Sequence, residues 1–215
     1  MRKIDKSEIL SSYYSNWINQ EEFKEKHPKY EASNSHYIDL KMSLLYCQGG
    51  LCAYSEKRLV DLKYFDLENW EEGKYKTKLA EKYKSKIIGD VEHFNHKLKK
   101  SKGWLWDNLF VVDVHINRNI KRSQDIKDFW KPDLEEYNPY NYLEFDLETG
   151  LFIPLYSLSD KEQEDILNMI DTLGLNCYDS DRKEHIELFL ALNKKREPTQ
   201  YLTAWQMTLN QLKEA

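Results

Sequence analysis

The stretch Asp90-Val91-Glu92-His93-Phe94, followed fourteen residues after His93 by Asp107-Asn108-Leu109 and then by Asp113, His115 and Asn117, decides how this chain is read. The β-branched residues leading into it, Ile87-Ile88-Gly89-Asp90-Val91, suit a strand. A polar, basic loop is expected between Phe94 and Trp104. The apolar residues Leu109, Phe110, Val112, Ile116 and Ile120 are compatible with a loop entering a helix. No single residue in this set is diagnostic, since a histidine beside a strand is more often structural than catalytic. The ordered set carries the information.

Its chemistry suits phosphodiester hydrolysis. That reaction needs a deprotonated water in line with the scissile bond, neutralised phosphate charge and a stabilised leaving oxygen. One histidine and one divalent metal supply all three. The carboxylate of Glu92 and the side chain of Asn117 are hard oxygen donors suited to Mg²⁺ or Mn²⁺, and a neutral imidazole at His93 suits the base. Adjacent strand residues point to opposite faces, so Glu92 and His93 serve one metal and one water only if the strand ends or twists there.

Further motifs extend the pattern. The chain reads Cys52-Ala53-Tyr54-Ser55-Glu56, then Glu92-His93-Phe94, Trp106-Asp107-Asn108-Leu109, Asp113-Val114-His115-Ile116-Asn117, and Leu173-Gly174-Leu175-Asn176 with Arg182 downstream. This series resembles the HNH endonucleases, in the branch of PtuB-like nucleases of Septu and retron anti-phage defence systems, over about residues 40 to 190. The branch pattern is Cys-x-Tyr-Cys-Glu, an acidic residue before His-Phe, Trp-x-Asn-Leu, Cys-x-x-Cys-Asn-x-x-Lys and Leu-Gly-Leu-Asn. The resemblance implies an α+β fold, a small ββα-metal (HNH) module embedded in a mostly helical domain. It implies that His93 is the general base, that Glu92 and Asn117 are metal ligands for Mg²⁺ or Mn²⁺, and that Asn108 fastens the loop between the two strands. It also implies a DNA substrate and a separate PtuA-like ATPase subunit, with a retron reverse transcriptase complex as a further partner.

The departures are specific. Of four knuckle cysteines only Cys52 is kept, with Ser55, Asp113 and Ile116 in the other places, so a structural zinc is not expected. The lysine of the last motif comes one residue late, at Lys121, which leaves His115 and Asp113 open as alternatives to Asn117. Lost zinc ligands suit either a working nuclease or a weakened nucleic-acid-binding or scaffolding subunit of the same fold.

Charge is unevenly distributed behind an overall net of -5. Residues 74 to 127 carry 14 Lys+Arg against 6 Asp+Glu, whereas residues 128 to 215 carry 8 against 18. A basic middle between acidic flanks fits one face neutralising phosphates. Lys97, Lys99, Lys100, Lys102, Arg118 and Lys121 are the candidate DNA contacts. The acidic last third is expected to meet a protein partner instead, through Trp205 and Leu209.

Outward from the motif, residues 1 to 48 are read as helices, with Ile9, Leu10, Tyr13, Tyr14 and Trp17 and then Ile38 to Leu45 at helical spacing, ended by Gly49-Gly50. Residues 49 to 130 form the expected catalytic core and 131 to 215 a helical part of the same single domain. There, Ser159 and Glu162 have capping-box spacing and Gly174 stands where the helix should stop. Two more helices are expected, from about Asp181 to Asn193 and from about Thr199. No apolar run is long enough to cross a bilayer and no secretory leader is evident, so the expected location is cytoplasmic, with Cys47, Cys52 and Cys177 as thiols.

Overall fold

The computed structural model of the protein describes residues 1–22, 24–192 and 196–214. Ser11 caps the first helix, α1 (Ser12–Glu21), by accepting from the Tyr14 amide, and Tyr14 and Ile18 face inward. Ile9 and Leu10 precede this helix rather than opening it, because the cap at Ser11 sets its start. Helix α2 (Tyr37–Cys47) has Leu40, Met42, Leu44 and Leu45 buried, so it runs through the core. A two-residue hairpin, β1 (Trp70–Glu71) and β2 (Lys74–Tyr75), and a short helix, α3 (Thr77–Lys82), lie between α2 and the central strands.

The expected strand is present as β3 (Asp90–His93). The basic segment after it is helical rather than a plain loop, with a 3-10 turn at His96–Leu98 running into α4 (Lys99–Lys102). Leu109–Val112 is a second strand, β4, antiparallel to β3 with Glu92 opposite Phe110 and His93 opposite Leu109. This corrects the reading of a loop entering a helix. All four β4 residues are buried, so the run lacks the alternation by which a half-exposed strand declares itself. A π-helical turn follows at Ile116–Lys121, with the Arg122 amide donating to the Asn117 carbonyl at 3.1 Å.

Helix α2 is bolted to this hairpin by side chains. Gln48 Nε2 donates to the carbonyl of Val111 at 2.7 Å while its Oε1 accepts from the Val111 amide at 2.8 Å. Lys41 Nζ donates to the carbonyls of Gly89 at 2.6 Å and Ile87 at 3.2 Å. These bonds satisfy backbone groups that a two-stranded sheet leaves open.

The last third is not wholly helical. Leu143–Asp146 (β5) and Leu151–Pro154 (β6) form an antiparallel hairpin whose inner residues Leu143, Phe145 and Phe152 are buried. Helix α5 (Asp160–Leu173) has the expected capping box at Ser159 and Glu162 and ends at Gly174, in the left-handed region at φ 62°. Helix α6 (Asp179–Ala191) starts two residues before the expected Asp181; the expected end, Asn193, lies outside the described residues. Helix α7 (Leu202–Glu214) begins after Tyr201. The tract Leu173 to Asn176 and Arg182 act as a clasp on the hairpin. Asn176 exchanges two hydrogen bonds with the Phe152 backbone, and the buried Arg182 guanidinium donates to the carbonyls of Gly150 and Leu175.

The architecture is therefore α+β. Trp205 is buried at 6% exposure and Leu209 is half-buried against the same core, so neither is the exposed anchor expected for a partner. Apolar side chains at those helix positions were needed for packing. Among the described residues no helix is long and apolar enough to cross a membrane.

Candidate functional site

The loop between β3 and β4 is closed by one side chain. Asn108, 4% exposed, accepts from the Asn95 amide at 2.8 Å through Oδ1 and donates to the Asn95 carbonyl at 3.0 Å through Nδ2. The Phe94 amide donates to the Asn108 carbonyl at 2.9 Å. An asparagine is suited to this place because its amide offers a donor and an acceptor side by side, matching one residue's backbone.

His93 closes β3 and is 4% exposed. Its Nε2 lies 2.9 Å from the Gly103 carbonyl. A carbonyl only accepts, so Nε2 carries the proton and Nδ1 keeps the lone pair. Burial pushes the imidazole down to about 4, against the raising effect of the Gly103 bond. The ring is therefore neutral at neutral pH. Tyr30 packs edge-on at 4.6 Å between ring centroids. Gly103 must be glycine here, because a Cβ would come within 2.8 Å of the Tyr30 Cβ.

Beyond Tyr30 opens a cleft of about 610 Å³ lined by Lys26, Lys29, Tyr30, Lys99 and Lys100. Two walls meet there: the segment after α1 and the start of α4, tied by the His27 amide donating to the Ser101 carbonyl at 2.7 Å and by Trp104 Nε1 donating to the Pro28 carbonyl at 3.1 Å. Of the six expected DNA contacts, Lys99 and Lys100 line the cleft and Lys97 is exposed in an ion pair with Asp125. Lys102 donates to the Glu22 carbonyl at 2.6 Å, and Arg118 is engaged with Asp90 through Nε at 2.7 Å and Nη2 at 3.1 Å. Lys121 is fully buried and cannot reach a phosphate, which corrects its place among the DNA contacts. Lys26 and Lys29 are not legible in the sequence as part of this cleft because they lie more than sixty residues before His93, outside the basic segment; only the tertiary fold brings them to it.

Glu92 faces away from His93. Its side chain points with that of Asp90 toward the π turn, as alternation along β3 requires. Tyr54 donates to Glu92 Oε2 at 2.5 Å, and the Lys121 ammonium pairs with Oε1. Lys121 also donates to the His93 carbonyl at 3.0 Å. Burial pushes the Glu92 carboxyl above its ordinary range, opposed by Lys121 and Tyr54. Asn117 directs Nδ2 to Asp90 Oδ2 at 3.4 Å rather than toward Glu92. The expected ligands thus do not converge. Both Glu92 oxygens are engaged, and among the described residues no three His, Cys, Asp or Glu side chains are placed to hold a metal ion. Mg²⁺ or Mn²⁺ does not fit Glu92 and Asn117 as they are arranged.

At the knuckle positions, the turn is closed by the Cys52 amide donating to the Lys57 carbonyl at 2.8 Å and by the Asp113 amide donating to Cys52 Sγ at 3.3 Å, while Ile116 packs in the core. Asp113 Oδ1 accepts from the His115 amide at 2.8 Å, and the His115 side chain is exposed.

No protein-family model matches this chain, and no curated protein matches it.

Proposed function

We propose that this chain is an endonuclease of the HNH type, acting on DNA phosphodiesters, with β3, β4 and the π turn as its ββα module and His93 Nδ1 as the base. The observation that carries the reading is the anchored neutral imidazole. With Nε2–H committed to the Gly103 carbonyl, the ring has one tautomer and one free lone pair, which is what abstraction of a proton from water requires. Asn108 supports the same reading, since its paired bonds hold the loop between His93 and β4.

The residues divide the work. Lys26, Lys29, Lys99 and Lys100 attract the phosphate backbone into the cleft. Tyr30 and Gly103 hold the imidazole plane beside it. His93 Nδ1 takes a proton from water as that water attacks phosphorus, while the opposite P–O bond to the sugar breaks and the departing sugar oxygen is protonated from solvent. A divalent cation, when bound, would neutralise charge on the phosphate; the engaged Glu92 offers it no free ligand here.

A second reading, a nucleic-acid-binding subunit of the same fold with weakened catalysis, is favoured by the Lys121–Glu92 pair. Nicking of supercoiled plasmid by wild type and His93→Ala, with and without Mg²⁺ or Mn²⁺, separates the two. Cleavage that disappears with His93 supports the nuclease; DNA binding without any cleavage in either metal selects the subunit. An ATPase subunit is the partner that the resemblance implies, so the assay is run with and without one.

A further inference from the structure

The place beside Glu92 already holds a cation. Lys121 Nζ lies against Glu92 Oε1 and 3.0 Å from the His93 carbonyl, while the Tyr54 hydroxyl takes Glu92 Oε2 at 2.5 Å. Glu92, Tyr54 and Lys121 are each at most 3% exposed. One ammonium thus bridges the carboxylate of one strand residue and the carbonyl of the next, as a bound metal ion would.

The backbone is shaped to deliver it. Ile116–Lys121 winds as a π turn, closed by the Arg122 amide on the Asn117 carbonyl, and Arg122 itself has a positive φ of 48°. A π turn carries an extra residue compared with an α-helical one, and such turns are found mostly at functional sites. Non-glycine residues at positive φ are held there by their surroundings. Here both features flank the lysine whose ammonium reaches Glu92.

We infer that Lys121 is a built-in counter-cation that fills the cation place beside Glu92 and keeps it closed to divalent metal in this conformation. Lys121 is a positioning residue, since it is buried away from the cleft and acts through Glu92 and the end of β3. A carboxylate with both oxygens engaged has to exchange an ammonium for a metal before it can ligate one. The inference rests on the nuclease reading for its bearing on catalysis, but its test reads metal binding, so the two fail separately.

The experiment is a Mn²⁺ titration of the full chain followed by electron paramagnetic resonance of the free ion, on wild type, Glu92→Gln, Lys121→Met and the double variant. Wild type is expected to show no site that depends on Glu92. Lys121→Met should gain one that is at least about tenfold tighter than any wild-type binding, the scale on which a ligand environment alters metal affinity, and the double variant should lose it. Should Lys121→Met not fold, Lys121→Gln, which keeps a donor for the His93 carbonyl, replaces it. Stoichiometric Mn²⁺ on wild type that is lost in Glu92→Gln overturns the inference. So does a folded Lys121 variant that binds Mn²⁺ no better than wild type.

Discussion

Lys121 and Glu92 form an ion pair in which both side chains are cut off from water, at 0% and 2% exposure. Taking one partner away leaves a buried charge with nothing to balance it, which costs about 3–5 kcal/mol. Lys121→Ala should therefore lower the melting temperature substantially, by about 2–4 °C for each kcal/mol in a chain of this size. Removing both charges, as Glu92→Gln with Lys121→Met, should restore most of the loss. A double variant as unstable as the single one would show that packing of the lysine stem, not charge, is what matters.

His93→Ala is expected to lower plasmid cleavage by roughly two to four orders of magnitude, the usual contribution of a general base. DNA affinity should change little, because the cleft is lined by other residues and His93 is not among them. A folded variant that cuts as fast as wild type rules out His93 as the base.

Asn108→Ala leaves the Asn95 amide and carbonyl without their partners, at a cost of about 1–3 kcal/mol for each group that stays unsatisfied. Asn108→Asp keeps the acceptor and loses the donor, so it should fall between alanine and wild type. Thermal melts order the three proteins. Amide exchange at Asn95 should speed up in Asn108→Ala, which loses the acceptor, and unchanged exchange there would show that Asn108 does not hold the loop.

Salt dependence tests the cleft. Each lysine that contacts a phosphate contributes about 0.9 to the slope of log K against log salt. Alanine at Lys26, Lys29, Lys99 or Lys100 should flatten that slope in duplex-DNA binding. Alanine at Lys102, whose ammonium holds a backbone carbonyl, should leave the slope alone. Equal slopes for all five variants and wild type would place the DNA elsewhere.

Alkaline pH gives a test of the core. Burial holds Lys6 and Lys41 down to about 8, although Asp133 and Asp90 respectively pull the other way. Above pH 8 the folded chain sheds these protons while the unfolded chain keeps them up to its ordinary lysine range. The unfolded state then binds more protons, so stability rises with pH. Cys47, pushed up to about 11, works in the opposite sense once unfolded thiols ionise near pH 9. The urea midpoint should climb from pH 7.5 to about 9, because the two lysines outweigh the one thiol. A decline between pH 7.5 and 9 that Lys41→Met abolishes would reverse the sign assigned here.

Local signals in the chain were enough for the elements whose structure is settled within a few residues. Ser159, Glu162 and Gly174 bracket α5 because a cap and a left-handed stop act on adjacent backbone. The β-branched run before His93 marks β3 for a similar reason. The β5–β6 hairpin is legible too, since Leu143 and Phe145 alternate with Glu144 and Asp146 before a turn at Gly150, although it lies among helical stripes. Strand β4 was not, because Leu109 to Val112 face the interior on both sides and show no period.

The sequence by itself determined which residues carry the candidate chemistry: His93 at a strand end, Asn108 as the fastener of the next loop, and a basic segment following. Only the tertiary structure decided which of them meet. Asn108 and Asn95 are thirteen residues apart and find each other through the hairpin. Lys26 and Lys29 reach Lys99 and Lys100 because His27 and Pro28 are hydrogen-bonded to the α4 region. Lys121, one of six basic residues that looked alike in the sequence, is drawn inside by a carboxylate twenty-nine positions away, since a buried Glu92 needs a counter-charge and the π turn brings one within reach. Charge is a property of each residue; whether it faces water or another charge belongs to the fold.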